Sequence, residues 1–247
     1  MKLALSVNKI VNKNISENTV TIIKTLKDNS GKVDMVCFGE TFLQGFDSLC
    51  WDFEIDRNMA VKKNSEAIKT IQKAAKYLKI AAAFGYVEIK GDKLFSSYMI
   101  ISNKGKIIYN YRRITKGWKE PIADNHYREE KKTGFFKMQG HKFAVGLCGD
   151  LWDDKVLNKC VQRKPDILLW PVYLDYPIKK WNKEKYDYIM RVSKYNFHIA
   201  LVNSICDGAD MANGGALYIK NGIIVSELPA GKIGELIVDV PNFKVIY

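Results

Sequence analysis

The chain has 247 residues, of which 47% are hydrophobic and 27% charged, and its 39 Lys+Arg against 27 Asp+Glu leave a net charge of +12. That length buries a substantial core in one large domain or two small ones, and the composition excludes disordered and fibrous classes. No apolar run reaches the roughly 18 to 20 residues that a bilayer crossing needs, and the opening MKLALSVNKIVNKN reads as a first strand rather than a signal peptide, so a cytoplasmic protein is expected.

Residues 2 to 7 (KLALSV) and 33 to 38 (VDMVCF) read as buried strands around a helix near 15 to 29, which Ser16 can cap and which carries Val20, Ile23 and Leu26 at helical spacing. A longer helix over 62 to 79 places Ala67, Ile68, Ile71, Ala74, Ala75 and Leu78 on one side. Strands are predicted at 80 to 88, 95 to 102 and 106 to 112, with hairpin turns at Gly91-Asp92 and Lys104-Gly105. Residues 113 to 132 then form a polar, aromatic-dotted stretch without a period, a kind of segment that is often functional.

The second half repeats the alternation. Strands at 134 to 138 and 142 to 147 flank Gln139-Gly140, a helix near 153 to 163 leads to a strand at 166 to 170, and a helix near 179 to 195 follows. Strands at 198 to 203, 215 to 219, 222 to 226 and 235 to 239 close the chain, with turns at Asn221-Gly222 and Ala230-Gly231. Strand–helix–strand units mixed with hairpins predict an α/β protein whose sheets are covered by helices, and with no internal linker one domain over 1–247 is expected.

Five scattered cysteines (Cys37, Cys50, Cys148, Cys160, Cys206) form no CxxC pair, which argues against a zinc ribbon or a disulfide framework and for reduced thiols. The lysine excess is spread along helical segments (Lys62, Lys63, Lys69, Lys73, Lys76, Lys79) and reads as solvated faces rather than a nucleic-acid site.

Three stretches place reactive side chains just beyond a buried strand, where open α/β sheets build their sites. In VDMVCFGETFLQGF, Glu40 stands among Phe38, Phe42 and Phe46, and apolar company raises a carboxylate's proton affinity towards general-base work. YNYRRITKGWKEP offers Arg112, Arg113, Lys116, Lys119 and Glu120, cations that suit a thiolate or a developing oxyanion. GLCGDLWDD ends a strand on Cys148, with Gly146 and Gly149 allowing close backbone approach and Asp150 able to fix a turn through backbone hydrogen bonds. Each has an ordinary alternative: a solvated loop glutamate, a basic surface loop, a buried inert cysteine.

The order FGETFLQGF, YRRITKGWKEP, GLCGDLW resembles the nitrilase, or carbon–nitrogen hydrolase, superfamily, and the likeness extends over nearly the whole chain to GGALYI and IVSELPAGKIGELIVDV. The resemblance implies a four-layer α-β-β-α sandwich and a Glu–Lys–Cys triad. It implies Cys148 as nucleophile, Glu40 as general base and Glu120 as the second glutamate. Arginine stands in the lysine slot of Tyr111-Arg112-Arg113. Arg113 keeps the positive charge there without exchanging a proton, Lys116 is the expected triad lysine, and Lys119 is a further candidate. The backbone N–H near Gly149 is expected at the oxyanion. WPVYLDYP corresponds to a loop lining the family's pocket, with Tyr173 as candidate and Trp118, Trp152 and Asn203 as others.

The implied reaction is hydrolysis of a non-peptide C–N bond in a small amide, with no metal or organic cofactor. Nitrile hydrolysis and a catalytically inactive ligand-binding relative are the alternatives. The resemblance also implies a homodimer, here without a long C-terminal strap before Tyr247.

Overall fold

A computed structural model describes residues 1–208 and 211–241; the end of the expected 1–247 domain lies outside the described residues. The first half contains β1 (Lys2–Val7), β2 (Lys9–Ile10), α1 (Ile15–Asn29), β3 (Met35–Cys37), α2 (Phe53–Asp56), α3 (Glu66–Leu78), β4 (Ala81–Lys90), β5 (Lys93–Ile101) and β6 (Ile107–Arg112). The second contains β7 (Phe136–Met138), β8 (His141–Val145), α4 (Asp154–Gln162), β9 (Ile167–Val172), α5 (Ile178–Val192), β10 (His198–Asn203) and β11 (Ile205–Cys206). It closes with β12 (Ala216–Lys220), β13 (Ile223–Leu228) and β14 (Gly234–Asp239).

Twelve of these strands form two six-stranded sheets, ordered β14-β1-β3-β4-β5-β6 and β13-β12-β10-β9-β8-β7, and β2 pairs parallel with β11. In each, three central strands run parallel, with registers such as Leu3↔Met35 and Met35↔Ala81 in one and Phe143↔Ile167 and His198↔Ile167 in the other. Hairpins extend both sheets, and β14 returns to pair antiparallel with β1. The expected turns at Gln139-Gly140 and Asn221-Gly222 have positive φ at both residues, as the twist of a tight hairpin demands.

Side-chain alternation decides the layers. In β4, Ala81 and Ala83 enter a core shared with Phe143, Leu169 and Val202 of the other sheet, so the two sheets pack face to face. Ala82 and Phe84 turn the other way, onto Ile22 and Leu26 of α1 and Ile68, Ile71 and Ala75 of α3. The second sheet buries Leu168, Trp170 and Leu201 against Leu157 of α4 and Ile189 of α5. The result is the α-β-β-α sandwich. Strands covered on both faces read as unbroken apolar runs, which is why they are conspicuous in the sequence.

The differences lie at element ends, in the inward face of α1, and in the short elements β2, α2 and β11, which are not among the predicted ones. Asn14, not Ser16, caps α1, its side chain accepting from the Glu17 amide at 3.1 Å. The α1 face that goes inside is Asn18, Ile22, Thr25 and Leu26, while Val20 is exposed. Asn18 is buried because its amide joins Val11 and Leu43 through their backbones, so polar residues on the inner face disguise the apolar stripe. The second helix starts at Glu66 rather than 62, capped by Ser65. Among the described residues no helix is long and apolar enough to cross a membrane.

Candidate active site

Glu40 follows β3, Arg113 follows β6 and Cys148 follows β8, so the two sheets bring three carboxyl-end loops to one place. All three residues line a single cavity of about 290 Å³. The Glu40 amide donates to the Val172 carbonyl at the end of β9 at 3.2 Å, tying the loop of one sheet to a strand of the other. Gly85 in β4 is required under this loop: a Cβ there would lie 2.2 Å from the Thr41 amide nitrogen. That glycine has no motif around it, and sequence reasoning passed over it.

Glu40 is 1% exposed, and its Oε1 accepts from Ser96 Oγ and from Arg113 Nη1, both at 3.0 Å. Its Oε2 is buried with no hydrogen bond closing on it among the described residues. Arg113 is itself 4% exposed. Burial works against its charge, but Glu40, with Cys148 and Asp150 nearby, more than compensates and raises its pKa above the usual arginine value. The guanidinium is a permanent cation here.

Asp150 positions this cation. The buried carboxylate accepts from the Tyr111 hydroxyl at 2.8 Å, from the Ile114 and Thr115 amides, and from Thr115 Oγ1 at 2.8 Å. Thr115 Oγ1 in turn lies 3.4 Å from Arg113 Nε. The acid expected to fix the turn of Cys148 therefore pins the loop after β6 instead. This explains the fate of Lys116. The chain is held at Thr115, and the next residue is exposed and outside the cavity lining. Among the described residues Arg113 is the cation of that lining, in place of the expected Lys116. Lys119 is engaged elsewhere, donating to the Tyr127 carbonyl and pairing with Glu129.

Cys148 opens a short helical turn, Cys148–Trp152, with φ at +47°. A non-glycine residue in this region is sparsely populated and clusters at functional sites. The strain is held by the Trp170 indole, which donates to the Cys148 carbonyl at 2.9 Å. The flanking glycines serve close approach. A Cβ at Gly146 would lie 2.1 Å from Leu151 Cδ2, and one at Gly149 would lie 2.5 Å from Arg113 Nη2. Gly149 thus leaves the space that the guanidinium fills.

The thiol is partly buried, and its Sγ lies 3.8 Å from the Tyr173 carbonyl. Burial first, then the charge of Glu40, push its pKa up to about 12, while Arg113 pulls the other way without prevailing. At neutral pH the resting sulfur is protonated beside a carboxylate.

Glu120 and Tyr173 also line the cavity. Tyr173 stacks on Phe46 with ring centroids 5.2 Å apart, and its hydroxyl donates to Asp47. Phe46, Asp47, Trp51 and Asp175 complete much of the wall. Trp51, Asp47 and Asp175 went unread in the sequence. Of the other pocket candidates, Trp118 is outside the lining but buried with Tyr127 and Phe53 behind it, edge-on to the lining residue Trp51 at 6.0 Å. Trp152 packs on Trp170 and Tyr188. Asn203 holds the Tyr173 loop by bonding both backbone groups of Leu174.

The family model for carbon-nitrogen hydrolases matches residues 3–243. The chain belongs to the carbon–nitrogen hydrolase family. Among solved structures, the chain is similar to an amidase of the nitrilase superfamily from Nesterenkonia sp. AN1, at 15% identity and a TM-score of 0.81, covering 98% of this chain and 93% of that one. Structures of that amidase include acrylamide and an acetamide moiety joined to its active-site cysteine. The chain is also similar to a glutamine-dependent NAD+ synthetase from Acinetobacter baumannii, at 21% identity and a TM-score of 0.79. That match covers 96% of this chain but 44% of the synthetase, so the chain spans less than half of that protein's length. No curated protein matches the chain.

Proposed function

We propose that the protein is an amidase that hydrolyses a non-peptide C–N bond in a small amide through a cysteine thioester. The observation that carries the reading is the convergence of Cys148, Glu40 and Arg113 on one cavity, with the Glu40–Arg113 contact at 3.0 Å.

Because the thiol is protonated at rest, the cation alone does not supply a thiolate, and the proton has to leave as the sulfur attacks. Glu40 takes that proton. A C–S bond forms, and the carbonyl electron pair moves onto oxygen, which Arg113 and the backbone N–H near Gly149 stabilise. On collapse of the tetrahedral intermediate the C–N bond breaks, and the Glu40 carboxyl returns the proton to the departing amine. Glu40 then takes a proton from water, the resulting hydroxide adds to the thioester, the C–S bond breaks, and the sulfur is reprotonated as the carboxylic acid departs. Every proton moves through Glu40, since a guanidinium never gives one up near neutrality. Arg113 contributes charge alone. Glu120, in the same cavity, is a substrate-side carboxylate.

Incubation with a panel of small amides, scoring ammonia release and intact mass, tests the reading. An acyl adduct on Cys148 with ammonia released supports it; a panel that yields neither ammonia nor adduct refutes it. Nitriles in the same panel distinguish the second chemistry of this site.

A further inference from the structure

The cavity has a charge opposite to that of the protein. The whole chain carries +12, yet Glu40, Asp47, Glu120 and Asp175 line the cavity against one cation, Arg113. Glu40 and Arg113 neutralise each other at 3.0 Å. The three remaining acids are exposed at the mouth. Between them stands an aromatic wall, with Phe46 stacked on Tyr173 and edge-on to Trp51 at 6.2 Å. Carboxylates interleaved with aromatic faces attract an organic cation both by charge and through the ring quadrupoles, and a concave site focuses that field. At the inner end lie Cys148 and the buried Glu40 carboxylate, whose Oε2 has no hydrogen bond closing on it among the described residues.

We infer that the substrate is a cationic amide: its carboxamide enters towards Cys148 while an ammonium group on the same molecule lies among Asp47, Glu120, Asp175 and the Phe46–Trp51–Tyr173 wall. This rests on the amidase reading for the inner end alone; the outer end stands on the lining of the mouth. An anionic amide meets three exposed carboxylates, none in an ion pair among the described residues, and is repelled, which gives discrimination as well as affinity.

The test compares three amides of similar length: δ-aminovaleramide (cationic), hexanamide (neutral) and glutaric monoamide (anionic). The expected order of kcat/KM is cationic, neutral, anionic, with the first step about tenfold at low salt and smaller in about 0.5 M salt, where exposed charges are screened. Asp175→Asn lowers the cationic-to-neutral ratio. Equal rates, or the reverse order, overturn the inference while leaving the amidase reading intact. A second readout needs no turnover: pentylamine slows iodoacetamide labelling of Cys148 more than pentanol or pentanoate does. If no amide is hydrolysed but this protection is seen, the amidase reading fails and the cation site stands; protection by all three alike overturns the cation site.

Discussion

Arg113 and Glu40, 73 positions apart in sequence, meet at 3.0 Å with both side chains under 5% exposed. A buried pair of this kind is expensive to break, because removing one charge strands the other in a poorly solvating interior. In the proposed mechanism the same contact holds the permanent cation beside the general base, so stability and turnover are expected to depend on one ion pair.

Arg113→Met leaves Glu40 buried without its cation. The expected loss is about 3–5 kcal/mol of stability and about 10²–10³-fold in kcat, read by urea unfolding and ammonia release. Arg113→Lys keeps a cation and is expected to retain more activity than Arg113→Met. A Met variant as stable and active as the parent contradicts the role of the pair.

The Cys148 thiol sets a pH dependence. Its pKa is raised to about 12, so the thiolate fraction grows with pH throughout the accessible range. Iodoacetamide labelling of Cys148 is expected to rise about tenfold per unit from about pH 7 to about pH 10. Burial is the larger cause and stays in Glu40→Gln, but the variant removes the charge that adds to it and keeps Arg113, which works the other way. The variant should label faster at a given alkaline pH while losing amide turnover. A labelling plateau below about pH 9 in the parent rules out the raised thiol.

Gly149→Ala places a methyl 2.5 Å from Arg113 Nη2. The guanidinium is held by Glu40 and has to shift. A displacement of about 1 Å at such a group costs up to about 10²-fold in rate, with a far smaller fractional change in stability. Parallel measurement of kcat/KM and the unfolding midpoint separates the two effects. Unaltered turnover in Gly149→Ala argues against a role for the guanidinium at the oxyanion.

Asp150→Asn changes a carboxylate that accepts from Tyr111, Ile114 and Thr115 into an amide that presents two hydrogens to the same donors. Stability is expected to fall by about 1–3 kcal/mol, and kcat to fall as the Arg113 loop loosens. Lys116→Ala, by contrast, changes an exposed side chain outside the cavity. It should leave stability within about 0.5 kcal/mol and turnover within about twofold. A large loss of turnover in Lys116→Ala returns the lysine to the site.

Much of the sandwich was legible because its strands are buried on both faces, so β3, β4, β8 and β9 stand out as apolar runs followed by turn residues. The motifs of Glu40, Arg113 and Cys148 were legible for a related reason: each sits within a few residues of a strand end. The α1 register was not, since Asn18 and Thr25 occupy inner positions that satisfy backbone groups rather than fill volume.

The sequence by itself determined helix-covered sheets and the three loops that meet at the cavity, because alternation, turn residues and local order are properties of neighbours along the chain, whereas the four-layer order came only with the family resemblance. Which cation lines the cavity beside Cys148 was decided only in three dimensions. Asp150 gathers Tyr111, Ile114 and Thr115, Gly149 opens room for a guanidinium, and Lys116 is left outside in solvent. The acidic, aromatic mouth was legible only in part: Glu120 and Tyr173 stood out in the sequence, but Asp47, Trp51 and Asp175 did not, and the five come together from three separate loops. Charge and shape at a point in space depend on what the fold brings there, and spacing along the backbone does not encode that.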